Sequence, residues 1–155
     1  MRRLLPTLLL TSLAACGGGD PAQTGYDALG SGDFATAVSS FREALGGAEG
    51  AQKTDLTLQL SQALAHTDAQ ACVAQMTQLD ADTDLRVQDY NVVVSELKGA
   101  GAYVEATDVL KLAQAAFPGD EKLTALIQAV GDAANRAGDT DALAALKGLG
   151  YVGDD

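Results

Sequence analysis

Asp80, Asp82 and Asp84 stand at alternate positions in the stretch DADTDL. This spacing matches the first three ligands of a twelve-residue calcium-binding loop, whose sixth residue is a turn-forming glycine and whose twelfth is a bidentate glutamate. The corresponding residues here are Leu85 and Asn91, so two defining positions fail. We interpret the cluster as the acidic start of a helix that Leu85 opens, where carboxylates meet the positive end of the helix. Weak calcium binding by the three aspartates is the alternative.

Cys72 and His66 lie six residues apart, and a thiol beside a base is the arrangement of a nucleophilic cysteine enzyme. The alternative is that Cys72 is a small buried residue, because it aligns with Ala37 and Ala106 in the internal repeat described below. The glycine-rich stretches GSGDF and GAGAY lack the lysine and hydroxyl residue of a phosphate-binding loop. No other catalytic signature is present, so the sequence predicts a protein that is not an enzyme.

The N-terminal residues predict where the protein is located. The positively charged start, MRR, precedes an apolar run from Leu4 to Ala15, the pattern of a secretory signal peptide. The run ends in Leu13-Ala14-Ala15-Cys16, which resembles the lipobox of bacterial lipoproteins. This resemblance implies cleavage before Cys16 and a covalent lipid on its sulfur. An ordinary secreted protein that is cut near this cysteine is the alternative.

Residues 16–20 are predicted to be the lipidated cysteine and a short flexible tether, because three glycines and Asp20 follow Cys16. Acyl chains on Cys16 would anchor the protein without a spanning helix. Gly17 follows the cysteine, where aspartate would tend to retain an enteric lipoprotein in the inner membrane. The expected location is therefore the periplasmic face of the outer membrane, if the host has one.

Charge and composition limit the possible partners. Removal of residues 1–15 would leave 140 residues and would change the formal charge from −11 to −13, because Arg2 and Arg3 are lost. An acidic chain repels phosphate backbones, so we expect no nucleic-acid partner. Cys72 is the one other cysteine, so no intramolecular disulfide is expected once Cys16 is acylated. Stability must then come from a core of leucine, valine and alanine.

Two segments of the chain repeat one pattern. GYDALGSGDFATAVSSFREAL and GAGAYVEATDVLKLAQAAFPGD both contain a turn, an aromatic residue, an alanine three residues later, a large apolar residue and a further alanine. The turns at Gly32 and Gly101 lie 69 residues apart, which is two units averaging 34.5 residues. The pattern resembles the second helix of the tetratricopeptide repeat (TPR), and Pro118 falls at that family's closing proline. Two further units have turns at 66–68 and 138–139, and the last step of 37 residues predicts three residues added to a loop.

This resemblance implies an all-α fold. Residues 21–148 are expected to form about eight helices in antiparallel pairs, stacked as a short TPR-like superhelix (solenoid) that residues 149–155 cap. An irregular helical bundle is the alternative architecture. Helical periodicity supports the helices independently, since apolar residues recur at i, i+3, i+4 and i+7, as in Tyr90, Val93, Val94 and Leu97.

Local signals place individual helices. A strand through residues 92–94 would suit their β-branched side chains, but no alternation of period two extends beyond them, so a helix is predicted. Four aspartates are predicted to begin helices by accepting hydrogen bonds from first-turn amides: Asp33, Asp68, Asp120 and Asp139.

In the repeat family the first helix of each pair lines a groove, and this implies a set of partner-binding residues here. Their side chains are small or amide-bearing, with one carboxylate: Thr57, Ser61, Asn91, Ser95, Gln128 and Asp132. Such side chains suit hydrogen bonding to an extended peptide segment, although solvated helix faces would look the same. A neutral or basic segment is the expected ligand, because the basic clamp for a terminal carboxylate is absent from these positions.

The predicted function is therefore that of a membrane-anchored, non-enzymatic scaffold or adaptor for an envelope protein. No cofactor is expected apart from the lipid on Cys16. The alternative function is binding of a ligand or a cation such as calcium by the acidic loop around Asp80, Asp82 and Asp84.

Overall fold

The computed structural model of the protein describes residues 19–153. The described part consists of eight α-helices with short connections and contains no strand. The helices are α1 (Pro21–Ser31), α2 (Phe34–Leu45), α3 (Gly50–Thr67), α4 (Ala69–Asp82), α5 (Val87–Gly99), α6 (Tyr103–Ala116), α7 (Glu121–Ala137) and α8 (Thr140–Lys147). The prediction of an all-α, repeat-like fold is confirmed. The signal peptide and lipidation site predicted at residues 1–16 lie outside the described residues, as do residues 154–155.

The helices begin where the sequence predicts that they should. Asp33, Asp68, Asp120 and Asp139 each accept a hydrogen bond from a first-turn backbone N–H at 2.8–3.2 Å. These bonds satisfy N–H groups that have no partner within the helix. Asp20 caps α1 in the same way, through the backbone N–H of Ala22 at 3.0 Å. The predicted tether therefore ends in a capping residue of the first helix.

Consecutive helices form four hairpins, and the hairpins stack. Each hairpin turns within one to three residues, between α1 and α2, α3 and α4, α5 and α6, and α7 and α8. Across hairpins, α3 packs on α5 and α5 on α7, while α4 packs on α6 and α6 on α8. The first helices and the second helices of the hairpins therefore form two layers with the apolar core between them.

Equivalent positions of the repeat occupy equivalent places in the core. The small residues aligned from the sequence, Ala37, Cys72 and Ala106, are all completely buried. Four residues later, one large apolar side chain from each second helix is also completely buried: Phe41, Met76 and Leu110. Small residues at the first position let neighbouring helices approach closely, and the large side chains fill the space beside them.

Two details of the predicted layout are wrong. The three connections between hairpins, residues 46–49, 83–86 and 117–120, all have four residues. The extra length of the last unit therefore lies in its helices. α6 and α7 have 14 and 17 residues, α4 and α5 have 14 and 13, and α2 and α3 have 12 and 18. Residues added within a helix continue its backbone hydrogen bonds. Residues added to a four-residue loop would not need to form such bonds.

The second error concerns the acidic cluster, which does not begin a helix. Asp80 and Asp82 belong to the last turn of α4, Asp84 lies in the connection, and α5 begins at Val87. Leu85 is buried in the core before that start and so does not open the helix. The apolar contacts of Leu79 and Leu85 on both sides of the turn fix this arrangement, and carboxylates at the negative end of α4 gain nothing from the helix dipole.

Gly25 allows α1 to lie close against α2. A Cβ atom at this position would stand 2.6 Å from a ring atom of Phe41, which is itself completely buried. Gly30, in the same helix, has no atom within 4 Å of the place where its Cβ would be. Substituting each glycine by alanine therefore distinguishes two effects on stability. Gly25 tests close packing against Phe41, and Gly30 tests helix propensity alone.

We predict that Gly25→Ala lowers the free energy of unfolding by about 1–3 kcal/mol, because the core has to shift around the added methyl group. Gly30→Ala is expected to leave stability unchanged or to raise it by up to about 1 kcal/mol, since alanine favours a helix. Urea unfolding of the two variants, followed by circular dichroism, measures the difference. Equal effects of the two substitutions would show that α1 does not pack on Phe41 as described.

Candidate functional site

A cleft of about 220 Å³ opens between the first helices of the second and third hairpins. We call it the α3–α5 cleft. Its walls carry one stripe from α3 and one from the start of α5, namely Asp55, Leu58, Gln59, Gln62, Arg86, Asp89 and Val92. The α3 members are spaced i, i+3, i+4 and i+7, so they share one face of that helix.

The charged groups of the α3–α5 cleft all have partners within the protein. Arg86 and Asp89 form an ion pair at 2.9 Å. Partial burial would raise the pKa of the Asp89 carboxyl, but the hydrogen bonds from Arg86 outweigh it and the pKa lies below its ordinary value. Asp55 accepts a hydrogen bond from the hydroxyl of Tyr26 on α1. The groups left for a partner are apolar side chains and the amides of Gln59 and Gln62. Gln62 Nε2 donates to Gln59 Oε1 at 3.2 Å, and the other donors and acceptors of the two amides stay available.

Tyr26 holds the first hairpin to the second at the edge of this cleft. The hydrogen bond to Asp55, together with partial burial and the nearby negative charge, raises the pKa of Tyr26 to about 12. The other side of the ring packs edge-on against Phe41, with centroids 5.4 Å apart. Tyr26 therefore joins α1, α2 and α3.

The predicted groove residues of α3 do not face this cleft. Ser61 is completely buried, and its hydroxyl donates to the backbone carbonyl of Thr57 at 2.9 Å, so its assignment to a partner-binding surface is wrong. Thr57 is 5% exposed and donates to the carbonyl of Lys53 at 2.7 Å. The reason is that α3 packs against α2, α4 and α5, which cover the face that the alignment assigned to the groove.

The equivalent residues of α5 and α7 are more accessible. Asn91 and Ser95 are half-buried, and the Ser95 hydroxyl donates to the Asn91 side-chain oxygen at 3.2 Å. Gln128 is half-buried, while Asp132 is exposed and accepts a hydrogen bond from the Tyr151 hydroxyl at 3.3 Å. None of these four residues lines the α3–α5 cleft. The sequence signal for the residues that line the cleft is the recurrence of polar side chains on one helix face, at Asp55, Gln59 and Gln62.

The environment of Cys72 argues against a thiol nucleophile. Its side chain is completely buried, and burial raises the pKa of the thiol to about 12, so it stays protonated at neutral pH. His66 is engaged elsewhere. Its ring stacks on Phe34 at a centroid distance of 3.9 Å, and its Nε2 bonds the Glu96 carboxylate at 2.8 Å. His66 thus connects α2, α3 and α5.

The three aspartates of the DADTDL stretch do not converge. Asp80 accepts a hydrogen bond from the Tyr90 hydroxyl, while Asp82 and Asp84 are exposed and line different clefts. Burial, and then this hydrogen bond, raise the pKa of Tyr90 well above its ordinary value, so it remains a neutral donor. Within residues 19–153 no group of three or more His, Cys, Asp or Glu side chains is arranged to hold a metal ion.

Comparison of the chain with protein-family models, with curated proteins and with solved structures found no match. No helix between residues 19 and 153 is long and apolar enough to span a membrane.

The hydrogen bond between Tyr26 and Asp55 makes stability depend on pH in the alkaline range. Between pH 10 and pH 12 an unfolded chain has lost the Tyr26 proton, which the folded protein still holds, so stability falls as the pH rises through this window. We predict that Tyr26→Phe removes part of this decline. Urea unfolding below pH 10 and near pH 12 measures it.

Tyr103→Phe is the matched control, because the Tyr103 hydroxyl donates no hydrogen bond within residues 19–153. This control should decline with pH as the native protein does. If Tyr26→Phe also declines in parallel with the native protein, the bond to Asp55 contributes nothing to the alkaline transition.

Proposed function

We propose that this protein is a membrane-anchored, non-enzymatic interaction module that binds an extended protein segment in the cell envelope. The anchor is a lipid on Cys16, on the strength of the signal-like residues 1–15 and the lipobox-like sequence LAAC. The interaction surface is the α3–α5 cleft. Export and lipid attachment would place the helical domain at the periplasmic face of the outer membrane in a host that has one.

The observation that supports this function is the combination of groups in the α3–α5 cleft. Gln59 and Gln62 offer amide donors and acceptors that match the backbone of an extended chain. Leu58 and Val92 supply apolar contact beside them. Arg86 and Asp89 pair with each other, so a peptide backbone bound beside them would not leave either charge buried without a partner.

The chemistry of the partner follows from the charge of the chain. A formal charge of −11 for the whole sequence attracts neutral or basic segments and repels acidic ones. A short tether after Cys16 keeps the cleft near the membrane surface, so the partner must reach that surface. An envelope protein with an exposed basic or neutral strand or tail meets both conditions. A tetratricopeptide-like arrangement of the helices would suit this use, because stacked hairpins give a long continuous surface.

The anchor is tested by Cys16→Ser in a bacterial host that processes lipoproteins. We expect the native protein to fractionate with membranes and to carry the mass of diacylglycerol and an acyl chain, while the variant lacks this mass and keeps residues 1–15 uncleaved. Cys72→Ala is the control, because alanine already fills the equivalent positions Ala37 and Ala106. A native protein that carries no lipid on Cys16 would refute the lipid anchor.

The interaction surface is tested by capture from native membranes. After crosslinking and gentle detergent extraction, we expect an envelope protein to co-purify with the tagged chain in stoichiometric amount. Gln62→Arg places a bulky cation in the cleft and should reduce capture by at least about tenfold. Gln70→Arg makes the same change on the exposed surface of α4 and should leave capture unchanged. Recovery of the tagged chain alone, or equal losses with both variants, would contradict the proposal.

A further inference from the structure

A second cleft, of about 310 Å³, lies between the two helices of the second hairpin. We call it the α3–α4 cleft. Polar side chains at helical spacing line it from both sides, with Lys53, Thr54 and Thr57 on α3 and Gln75, Gln78 and Asp82 on α4. Its volume is at the low end for small-molecule pockets, which indicates a small ligand.

The α3–α4 cleft exists because the layer of second helices is interrupted at this point. α4 packs on α6 and α6 on α8, but α2 and α4 have no comparable packing within the described residues. The sides of α3 and α4 that a neighbouring helix would cover are therefore open. Because α3 and α4 run antiparallel, Lys53 and Asp82 lie toward one end of the cleft, and Thr57 and Gln75 lie toward the other.

The α3–α4 cleft has one charge of each sign without a partner, whereas the charged groups of the α3–α5 cleft all have partners. In the α3–α5 cleft, Arg86 and Asp89 neutralise each other, and Asp80 in a neighbouring cleft accepts a hydrogen bond from Tyr90. Between residues 19 and 153, the ammonium of Lys53 and the carboxylate of Asp82 form no ion pair and no side-chain hydrogen bond. One cation and one anion thus stand unpaired on facing helices.

Both charges also oppose the dipoles of their own helices. Lys53 follows the start of α3 at Gly50, where the helix end is positive and has no side-chain cap, and Asp82 is the last residue of α4, where the helix end is negative. Each helix would be more stable without its charge. Because both charges line the same cleft, one ligand that pairs with both would remove the two costs together. A bound carboxylate would interact favourably with Lys53 and the α3 end, and a bound ammonium with Asp82 and the α4 end.

We propose that the α3–α4 cleft binds a free α-amino acid with a small polar, uncharged side chain. The carboxylate of the amino acid pairs with Lys53, its ammonium pairs with Asp82, and its side chain reaches the amide group of Gln75. A neutral sugar would leave both protein charges unpaired. A peptide would separate its two terminal charges beyond the span of one cleft end. This inference does not depend on the partner-binding function proposed for the other cleft.

Nuclear magnetic resonance titration of the full chain, in detergent, tests the ligand class. L-glutamine, L-asparagine, L-serine and L-threonine are added separately, and backbone amide shifts are followed. We expect at least one of them to bind saturably, with shifts concentrated at residues 50–57 and 75–83. Glutaramate is L-glutamine without its ammonium, and L-glutamine amide is L-glutamine without its carboxylate. Each should bind at least about tenfold more weakly than L-glutamine does. Absence of saturable shifts up to about 10 mM of all four amino acids would overturn the proposal, as would equal binding of either analogue.

Variants test the roles of the two charges. Lys53→Met and Asp82→Asn should each weaken binding by about tenfold or more and should leave the melting temperature of the ligand-free protein unchanged or raised. Lys122→Met is the matched control, because Lys122 also lies in the first turn of a helix, α7, but does not line the cleft. It should bind as the native protein does. Native-like binding by Lys53→Met or Asp82→Asn, or a lower melting temperature of either, would show that these charges serve the fold and not a ligand.

Discussion

The packing of α3 constrains the rest of the structure. This helix contacts α1, α2, α4 and α5, so it must present a suitable surface to neighbours in both layers. Apolar and small residues occupy most of its circumference, and even Thr57 and Ser61 are buried with hydroxyls turned back onto the helix backbone. Two of the faces of α3 that remain open form the α3–α5 cleft and the α3–α4 cleft, the second at the interruption in the layer of second helices.

Close approach of the helices depends on small residues at fixed positions. Gly25 receives the ring of Phe41, and Gly131 on α7 receives the ring of Tyr151, where any Cβ would stand 2.3 Å from the nearest ring atom. Tyr151 is thereby buried while Val152, next to it, is 78% exposed. An aromatic side chain seated on a helix glycine thus recurs near both ends of the described array. The core has few aromatic residues, and in this way Phe41 and Tyr151 each fill a junction between two elements.

Among residues 19–153, aspartate pairs more often with tyrosine than with a cation. The sequence has 21 acidic and 10 basic side chains, so many carboxylates have no cation nearby. Three of its four tyrosines donate hydrogen bonds to aspartates in other elements, in the pairs Tyr26–Asp55, Tyr90–Asp80 and Tyr151–Asp132. A neutral hydroxyl donates a hydrogen bond to a carboxylate, and no second charge has to lose its hydration, as the cation of a salt bridge would. The tyrosines thus tie helices together while the surface keeps its negative charge.

The sequence by itself determined the helices, their capping aspartates and the equivalence of Ala37, Cys72 and Ala106, because these depend on local hydrogen bonding and on a repeated spacing. It also indicated that Cys72 is a packing residue. Only the tertiary structure decided which faces of the helices stay open. Ser61 and Ser95 are equivalent in the repeat, yet Ser61 is completely buried and Ser95 is half-buried, because α3 packs against more helices than α5 does. Exposure depends on contacts between residues far apart in the chain, and a local pattern does not contain them.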